Sequence, residues 1–572
     1  MEPLEKLTLK AVLDRSERLF TERPALGFVD GDPITYGEFA EQVRALSGLL
    51  DERGIRPGDR VALLSHNMPN WGVAYFAITT MGAVAVPILT DFHDNAVHHI
   101  LIHSEAKALF VSERLVGKIE NGEFPNLETV LRMDDLTVVA GEDLRERFRE
   151  KIRAGRVQIE RLRKHALNML DRKEPDIEED DTASIIYTSG TTGHSKGVVL
   201  SHKNIVYDAK VTADLVEFNP DERMLSVLPL AHTYECTLGL VIPLFYGASV
   251  HYLEKPPTPR TLLPALEKIK PTFLLIVPLI IEKIYKNRIL PKLRSSGLMR
   301  GLTRFKATEK ALHRMACKKL LHSFGGNIRC MCIGGAPLSA EVERFLRNGG
   351  FPYSVGYGMT ETAPMITGAD PRVTRYRACG YTIPGVEIMI DNPHPETGEG
   401  EILVKGPIVM KGYYKAPHLT KEVFKDGWLK TGDLGIQDEE GYVYIKGRSK
   451  NVVIGPSGEN IYPEEIEALL NEKEYVLESL VYSLDGKLTA RVHLDYEWLD
   501  KAHNFNRMVE SEIRKKLQET LENLRLEING LVSAFSRIMK IVEHPEPFEK
   551  TPTHKIKRYL YVDPKENGLI DT

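Results

Sequence analysis

The stretch YTSGTTGHSKGVVLSH, residues 187–202, gathers hydroxyls, glycines and one lysine in a way that suits phosphate. Glycines free backbone N–H groups to form an anion-binding nest, and Lys196 adds a mobile positive charge. The spacing is not that of the P-loop, G-x-x-x-x-G-K-[ST]. Counted from Gly190, Ser195 stands where the second glycine is required, and Gly197 follows Lys196 where Ser or Thr is required. A merely flexible surface loop has no need of so dense a run of Ser, Thr, Gly and Lys. The segment therefore predicts an anion cradle of another kind, between the strand ASIIYT (183–188) and a helical pattern at 204–216.

Three further stretches carry candidate chemistry. In CIGGAPLSAEVERFL (332–346) a strand runs into Gly334-Gly335-Ala336-Pro337, where missing side chains let a flat base lie against backbone. Ser339 is in position to cap the helix that follows. In YSVGYGMTETAP (353–364), Thr360 and Glu361 supply a hydroxyl and a carboxylate. Those are donor types for Mg²⁺ and its attendant phosphate oxygens. In LKTGDLG (429–435), Asp433 falls on a turn between strands. Each alone is also an ordinary turn or helix start, since aspartates in turns are usually structural.

These segments need a scaffold. RVALLSH (60–66), ALFVSE (108–113), ASIIYT, TFLLIVP (272–278) and IRCMCIGG (328–335) are apolar, β-rich runs. Helical patterns such as TYGEFAEQVRALSGLLDERG (35–54) lie between several of them. The alternation predicts an α/β chain with a large N-terminal domain of layered, largely parallel sheets. From 399 to 448, short strands separated by Gly and Asp predict a β-rich subdomain. A shorter α+β domain follows KGRSKN (446–451), so the expected boundaries are 1–449 and 450–572.

Bulk properties narrow the function. The 572 residues amount to about three to four domains' worth of core. With 42% hydrophobic and 27% charged residues and a net charge of −5, the chain does not look like a nucleic-acid binder. MEPLEKLTLK has early acids and no apolar h-region, so no signal peptide is expected. The longest apolar run, FLLIVPLII (273–281), is far short of the ~20 residues that span a bilayer. Five cysteines without a CxxC suggest a reduced, cytoplasmic setting rather than a metal site.

In this order, the motifs resemble those of the adenylate-forming superfamily: acyl-CoA synthetases, adenylation domains of peptide synthetases, and luciferases. The resemblance runs from ITYGEF (34–39) to TPTHKIKR (551–558) and includes the hinge-like GRSKNVVIGPSGENIYPEEIE (447–467). It implies that Thr188, Ser189, Gly190, Thr191, Thr192 and Gly193, with Lys196, hold the pyrophosphate of ATP. Gly335, Ala336 and Tyr357 would sandwich adenine. Thr360 would contact the α-phosphate, and Glu361, with Thr188, would hold Mg²⁺. Asp433 and Arg448 would take the ribose hydroxyls, and Lys450 would be the hinge of a mobile C-terminal domain. Lys555 would bridge the reacting carboxylate and the α-phosphate, and the C-terminal domain would rotate between two half-reactions. The sequence departs from the pattern at Ser195, where the family has Pro, at Asn451, where an acid is common, and at His554, where Gly usually precedes the lysine.

LPLAHTYE (228–235), GENIYPEE and TPTHKIKR are most similar to long-chain fatty acyl-CoA synthetases, which puts His232 at the acyl pocket. The implied substrates are a fatty acid, ATP and coenzyme A, and the chemistry requires no protein nucleophile. No amino-acid-binding carboxylate stands out, and no carrier-protein domain is expected after residue 572. The rival readings are a fatty acyl-AMP ligase or carrier-protein-loading enzyme, and a non-catalytic ATP-binding regulator.

One segment inverts the average charge. Between 286 and 319 stand eleven Lys and Arg against Glu309 alone, interleaved with Leu290, Leu293, Phe305, Leu312 and Met315. It fits a solvated face, a surface for peripheral association with the inner face of a membrane, or contacts to coenzyme A phosphates.

Overall fold

Local signals in the chain account for most elements. Thr35 caps the helix Tyr36–Glu52: its side chain accepts from the Glu38 N–H while the Glu38 carboxylate takes the Thr35 N–H. The apolar runs Val84–Pro87, Ala108–Val111 and Phe273–Ile276 are buried at every position, as strands covered on both faces must be. The computed structural model describes residues 3–139, 175–188, 195–294, 305–454, 460–484, 486–505, 508–551 and 555–562.

Two large sheets form the N-terminal part. One has the spatial order Gly412–Tyr413, Lys196–Ser201, Thr182–Thr188, Val84–Pro87, Arg60–Leu64, Ala108–Val111, Thr129–Arg132, Thr137–Val139. Its centre is parallel and its edges are antiparallel. The other runs Tyr353–Val355, Cys330–Ile333, Phe273–Ile276, Arg223–Ser226, Ser249–Tyr252, Pro24–Phe28, Ile34–Thr35, parallel except at its last pair. The helix Pro69–Thr80 touches strands of both and is buried from Trp71 to Thr80. Its lack of a polar face follows from that position between the layers.

A third, antiparallel sheet joins Glu387–Asp391, Gly400–Lys405, Trp428–Gln437, Phe424–Lys425 and Val443–Arg448. The C-terminal domain is a hairpin, Val476–Leu484 with Lys487–Leu494, and Lys540–Glu543 runs parallel beside it. Helices Pro463–Asn471 and Glu510–Asn529 supply Ile466, Leu470, Leu521, Leu524 and Ile528 to a separate core. Among the described residues no helix is long and apolar enough to cross a membrane.

Three local expectations are corrected. The segment after Thr188 does not run from strand to helix. It joins two antiparallel strands, Thr188 opposite Lys196, before the helix His202–Leu215 begins. The run KGVVLS buries Val198 and Leu200 while Val199 is only half-buried, a strand pattern. Gly193, Ser195 and Gly197 match the letters of a nucleophile elbow, but an elbow requires strand–turn–helix, and a second strand starts here. Asp433 lies not on a turn but within the strand Trp428–Gln437. Gly432, at φ +72°, lets the chain bulge there, so that four residues advance on one strand while two advance on its partner. Ser339 precedes the helix Ala340–Gly349 without capping it through its hydroxyl.

The C-terminal domain touches the N-terminal part where that cap would have been. Glu472 accepts from the Ser339 hydroxyl at 3.3 Å and the Glu341 N–H at 3.4 Å. Arg294 pairs with Glu474 at 2.7 Å, and the Lys286 ammonium donates to the Asn471 carbonyl.

Candidate active site

Four loops leave the carboxyl ends of parallel strands in the seven-stranded sheet, the edge where open α/β sheets bind ligands. Strand Arg223–Ser226 leads to His232, Phe273–Ile276 to Val277, Cys330–Ile333 to Gly334-Gly335, and Tyr353–Val355 to Gly356-Tyr357. The loops are tied together by the Gly334 N–H donating to the Ile276 carbonyl at 3.2 Å and the Gly356 N–H donating to Ile333 at 3.0 Å. Gly335 has φ +83°, a conformation that a side chain would strain. A Cβ at Gly334 would stand 3.3 Å from the Tyr234 ring.

Tyr357 meets the β-rich sheet here. Its hydroxyl donates to Asp433 Oδ2 at 2.8 Å, and Arg448 Nε holds Asp433 Oδ1 at 2.7 Å. Asp433 and Arg448 sit opposite each other in the strand ladder, so the pairing is set by register. Burial, followed by the Asp433 charge, pushes the Tyr357 phenol well above its ordinary range.

A second group surrounds Glu361, in the short 3₁₀ turn Thr360–Thr362 with Thr360 buried. The Tyr413 hydroxyl donates to Glu361 Oε1 at 2.9 Å, and the Lys196 ammonium lies 5.2 Å from the centre of the Tyr413 ring. Tyr413 thus links Glu361 to the hairpin of Thr188 and Lys196. Sequence reasoning missed it, since GYYK belongs to none of the motifs. Ser189, Gly190, Thr191, Thr192 and Gly193 lie outside the described residues. Beneath the turn, buried Asp208 accepts from the Met365 N–H at 3.2 Å, and burial holds its carboxyl well above the carboxylate range.

Lys555 brings the two groups together electrostatically. Burial and the Arg448 charge lower its ammonium below the usual lysine range, while Asp433 and Glu361 oppose the shift. Its side chain keeps contact with water but has protein on most sides, the state of a group in an open cleft. His232 is the other neighbour. Burial, then the Lys555 charge, push its imidazole down to about 4. The Tyr234 N–H donates to His232 Nδ1 at 3.1 Å, so the neutral ring carries its proton on Nε2. Ala336 is exposed beside Gly335, and Lys450 is exposed in the 3₁₀ turn Ser449–Asn451.

Among the described residues no group of three or more His, Cys, Asp or Glu is arranged to hold a metal. Mg²⁺ does not need one, because it is commonly bound through one or two carboxylates, waters and substrate phosphates. Glu361 fits that donor set, with one oxygen held by Tyr413 and the other without a hydrogen-bond partner among the described residues.

Glu235 follows the His232 turn and was not singled out from sequence. Ser226 Oγ donates to its Oε1 at 2.5 Å, Oε2 has no partner among the described residues, and burial pushes the carboxyl up to about 8. The folded chain therefore holds a proton that the unfolded chain releases above the ordinary value of 4.5. Stability is lost as pH rises from that value through about 8, at about 1.4 kcal/mol per unit. Glu235→Gln should remove this term. Thermal unfolding at pH 5 and pH 8 should show a smaller loss of Tm with pH than the wild type shows; an unchanged loss would rule out a proton held on Glu235.

Residues 13–414 match the family described as AMP-binding enzyme. Long chain acyl-CoA synthetase 6, peroxisomal, of Arabidopsis thaliana is 30% identical over 566 residues, 92% of this chain and 79% of that protein. Long-chain-fatty-acid–CoA ligase 1 of Homo sapiens is 30% identical over 602 residues, 96% of this chain and 84% of that protein. The crystal structure of ATP-bound MatB from Rhodopseudomonas palustris has a TM-score of 0.73 at 26% identity, covering 97% of this chain and 98% of that one. The chain belongs to the AMP-binding enzymes of the adenylate-forming superfamily.

Proposed function

We propose that this enzyme is a long-chain-fatty-acid–CoA ligase. It uses ATP to convert a fatty acid to acyl-AMP, releasing pyrophosphate, and then transfers the acyl group to coenzyme A, releasing AMP. The observation that carries the reading is the pair of anchored carboxylates, Asp433 held by Tyr357 at 2.8 Å and Arg448 at 2.7 Å and Glu361 held by Tyr413 at 2.9 Å, to which the charge of Lys555 from the C-terminal domain is coupled. The long-chain ligases among the relatives support a fatty acid and coenzyme A as the substrates.

A carboxylate is a poor acyl donor because its leaving group would be oxide. In the first step a carboxylate oxygen attacks the α-phosphorus of ATP, and the bond to pyrophosphate breaks. Both reactants are anions, so the chain's cations and N–H groups must balance charge where it builds up. Lys555 bridges the two anions, and Lys196 and the hairpin backbone hold the departing pyrophosphate. Bound at Glu361 and Thr188, Mg²⁺ would supply Lewis-acid neutralisation of the phosphates. Asp433 and Arg448 take the ribose, and Tyr357 stacks adenine against Gly335 and Ala336. In the second step the thiol sulfur attacks the acyl carbon, AMP leaves, and the thiol proton passes to water. Neutral His232 adds no charge to the wall facing the acyl chain. We place the joint between the domains at Lys450 and the site of action in the cytoplasm.

The test is AMP formation that depends on coenzyme A, measured across saturated acids of increasing length. Activity rising toward long chains supports the reading. Acyl-AMP that accumulates without thioester, or is passed only to a carrier protein, would replace coenzyme A as the acceptor. No pyrophosphate release with any fatty acid would mark a non-catalytic nucleotide binder.

Asp433 tests the ribose role separately. Loss of a hydrogen bond to a charged group costs about 1.5–3 kcal/mol. Asp433→Ala should therefore raise KM for ATP about 10- to 100-fold, with a much smaller change in KM for the fatty acid. Equal changes in both would remove Asp433 from the nucleotide site.

A further inference from the structure

We propose that the outward face of the helix Lys306–Ser323 docks on an anionic lipid surface. Lys306, Lys310, Arg314 and Lys318 are spaced four residues apart, and all are exposed, as is Lys319. Residues at that spacing are neighbours on a helix, and like charges there repel. From Lys306 to Lys318 the row extends ~18 Å along the axis and winds ~120° around it. It starts at the edge of the buried side and reaches the outward side, opposite His313, Cys317 and Leu320, where Met315, Lys318 and Lys319 lie with Arg314 at its border. None of the five cations has an ion-pair or hydrogen-bond partner among the described residues. The helix's one acid, Glu309, is half-buried, and its charge acts on Tyr285, His313 and Arg344, to the side of the row. A polyanion laid along this face would relieve the repulsion that the protein itself leaves in place.

Two apolar side chains favour lipid over other polyanions. Phe305 is 70% exposed and Met315 is 61% exposed, both beside the cations. Aromatic and aliphatic side chains next to lysines are what an interfacial helix inserts between headgroups. The inner face has different work: His313, Cys317 and Leu320 are buried, and Cys317 fits against Gly349 so closely that a Cβ there would overlap its Sγ. This holds the basic helix against Ala340–Gly349, the helix that follows the Gly334-Gly335 turn of the nucleotide site. Lys286 and Arg294, earlier in the basic segment, are engaged by the C-terminal domain and leave the docking face to residues 305–319; residues 295–304 lie outside the described part of the chain. The proposal takes its use from the fatty-acid reading, since such a substrate partitions into membranes, but its test does not depend on catalysis.

The full chain is sedimented with vesicles of phosphatidylcholine alone and of phosphatidylcholine with phosphatidylglycerol, at low and high salt. Binding only to the anionic vesicles, lost at high salt, is expected. Each engaged cation contributes about a five-fold factor in affinity, so K310Q/R314Q/K318Q/K319Q together should weaken binding by about 10²-fold or more. Phe305→Ser should weaken it by a similar factor at each salt concentration where binding is still measurable, because its contribution is apolar. Thermal unfolding of both variants checks that they remain folded. The proposal is overturned if the wild type stays in the supernatant at low salt, or if the four-fold variant binds as the wild type does. It is also overturned if that variant raises KM for coenzyme A or weakens capture of an acidic carrier protein while vesicle binding is unchanged. Acyl-CoA formation from a water-soluble medium-chain acid, without vesicles, tests the ligase reading independently of all these outcomes.

Discussion

Lys555→Ala should slow acyl-adenylate formation by about 10²–10³-fold, as loss of one oxyanion donor does, equivalent to about 3–4 kcal/mol of transition-state stabilisation. Thioester formation from supplied acyl-AMP should survive, because the charge is needed only while carboxylate and phosphate meet. Equal loss in both half-reactions would remove the bridging role. The pH profile gives a second check. Burial and Arg448 lower the Lys555 ammonium, and only the protonated form can bridge two anions. Adenylation should therefore fall on the alkaline side at a pH below the usual lysine range. Lys555→Arg keeps its charge throughout, so whatever activity it retains should lose that limb.

Lys450→Pro should leave adenylation near normal and reduce transfer to coenzyme A by about 10²-fold or more, the scale of loss when reacting groups are held slightly out of place. Lys450 lies in the 3₁₀ turn Ser449–Asn451, where the φ of proline, near −65°, is already close to what is needed. The orientation with Lys555 in the site is therefore tolerated, while the change of backbone angle needed for rotation is blocked. Stopped-flow pyrophosphate release and quenched-flow acyl-CoA formation separate the two steps. Acyl-CoA made at the wild-type rate would mean that the chain turns elsewhere, or not at all.

Much of the fold was legible because buried parallel strands leave a plain trace. Arg60–Leu64, Ala108–Val111, Phe273–Ile276 and Cys330–Ile333 each fall inside an apolar run visible in the sequence. The helix Tyr36–Glu52 shows both its period and its capping box. Short antiparallel strands were harder to see. Lys196–Ser201 has six residues and begins in a glycine-rich loop, so its pattern merged with that of the helix after it. A bulge and a turn both call for glycine at positive φ, and Gly432 alone could not tell one from the other. Thr360, Glu361, Asp433, Arg448 and Lys555 could be named as candidates because chemistry restricts their types within recognisable runs. Tyr413 could not, since its contact with Glu361 comes from a strand added at the sheet's edge. Glu472 was equally hidden: it reaches Ser339 and Glu341 only through the docking of a second domain.

Among the described residues the interdomain contacts through Asn471, Glu472 and Glu474 stand beside a hydrogen bond from the Tyr462 hydroxyl to Glu399 at 2.7 Å, all of them polar, and Arg294 and Glu474 are both partly open to water. Pairs of that kind are worth little, ~0–1 kcal/mol each. They suffice because the C-terminal domain is a ligand attached to its own receptor. A short covalent link holds such a ligand at an effective concentration in the millimolar range, so weak contacts give high occupancy without slow release. The same domain supplied as a separate molecule would have to be present at about that concentration to deliver Lys555 as often. Under the proposed mechanism tight contacts would gain nothing, since they would hold Lys555 in the site after its half-reaction was over.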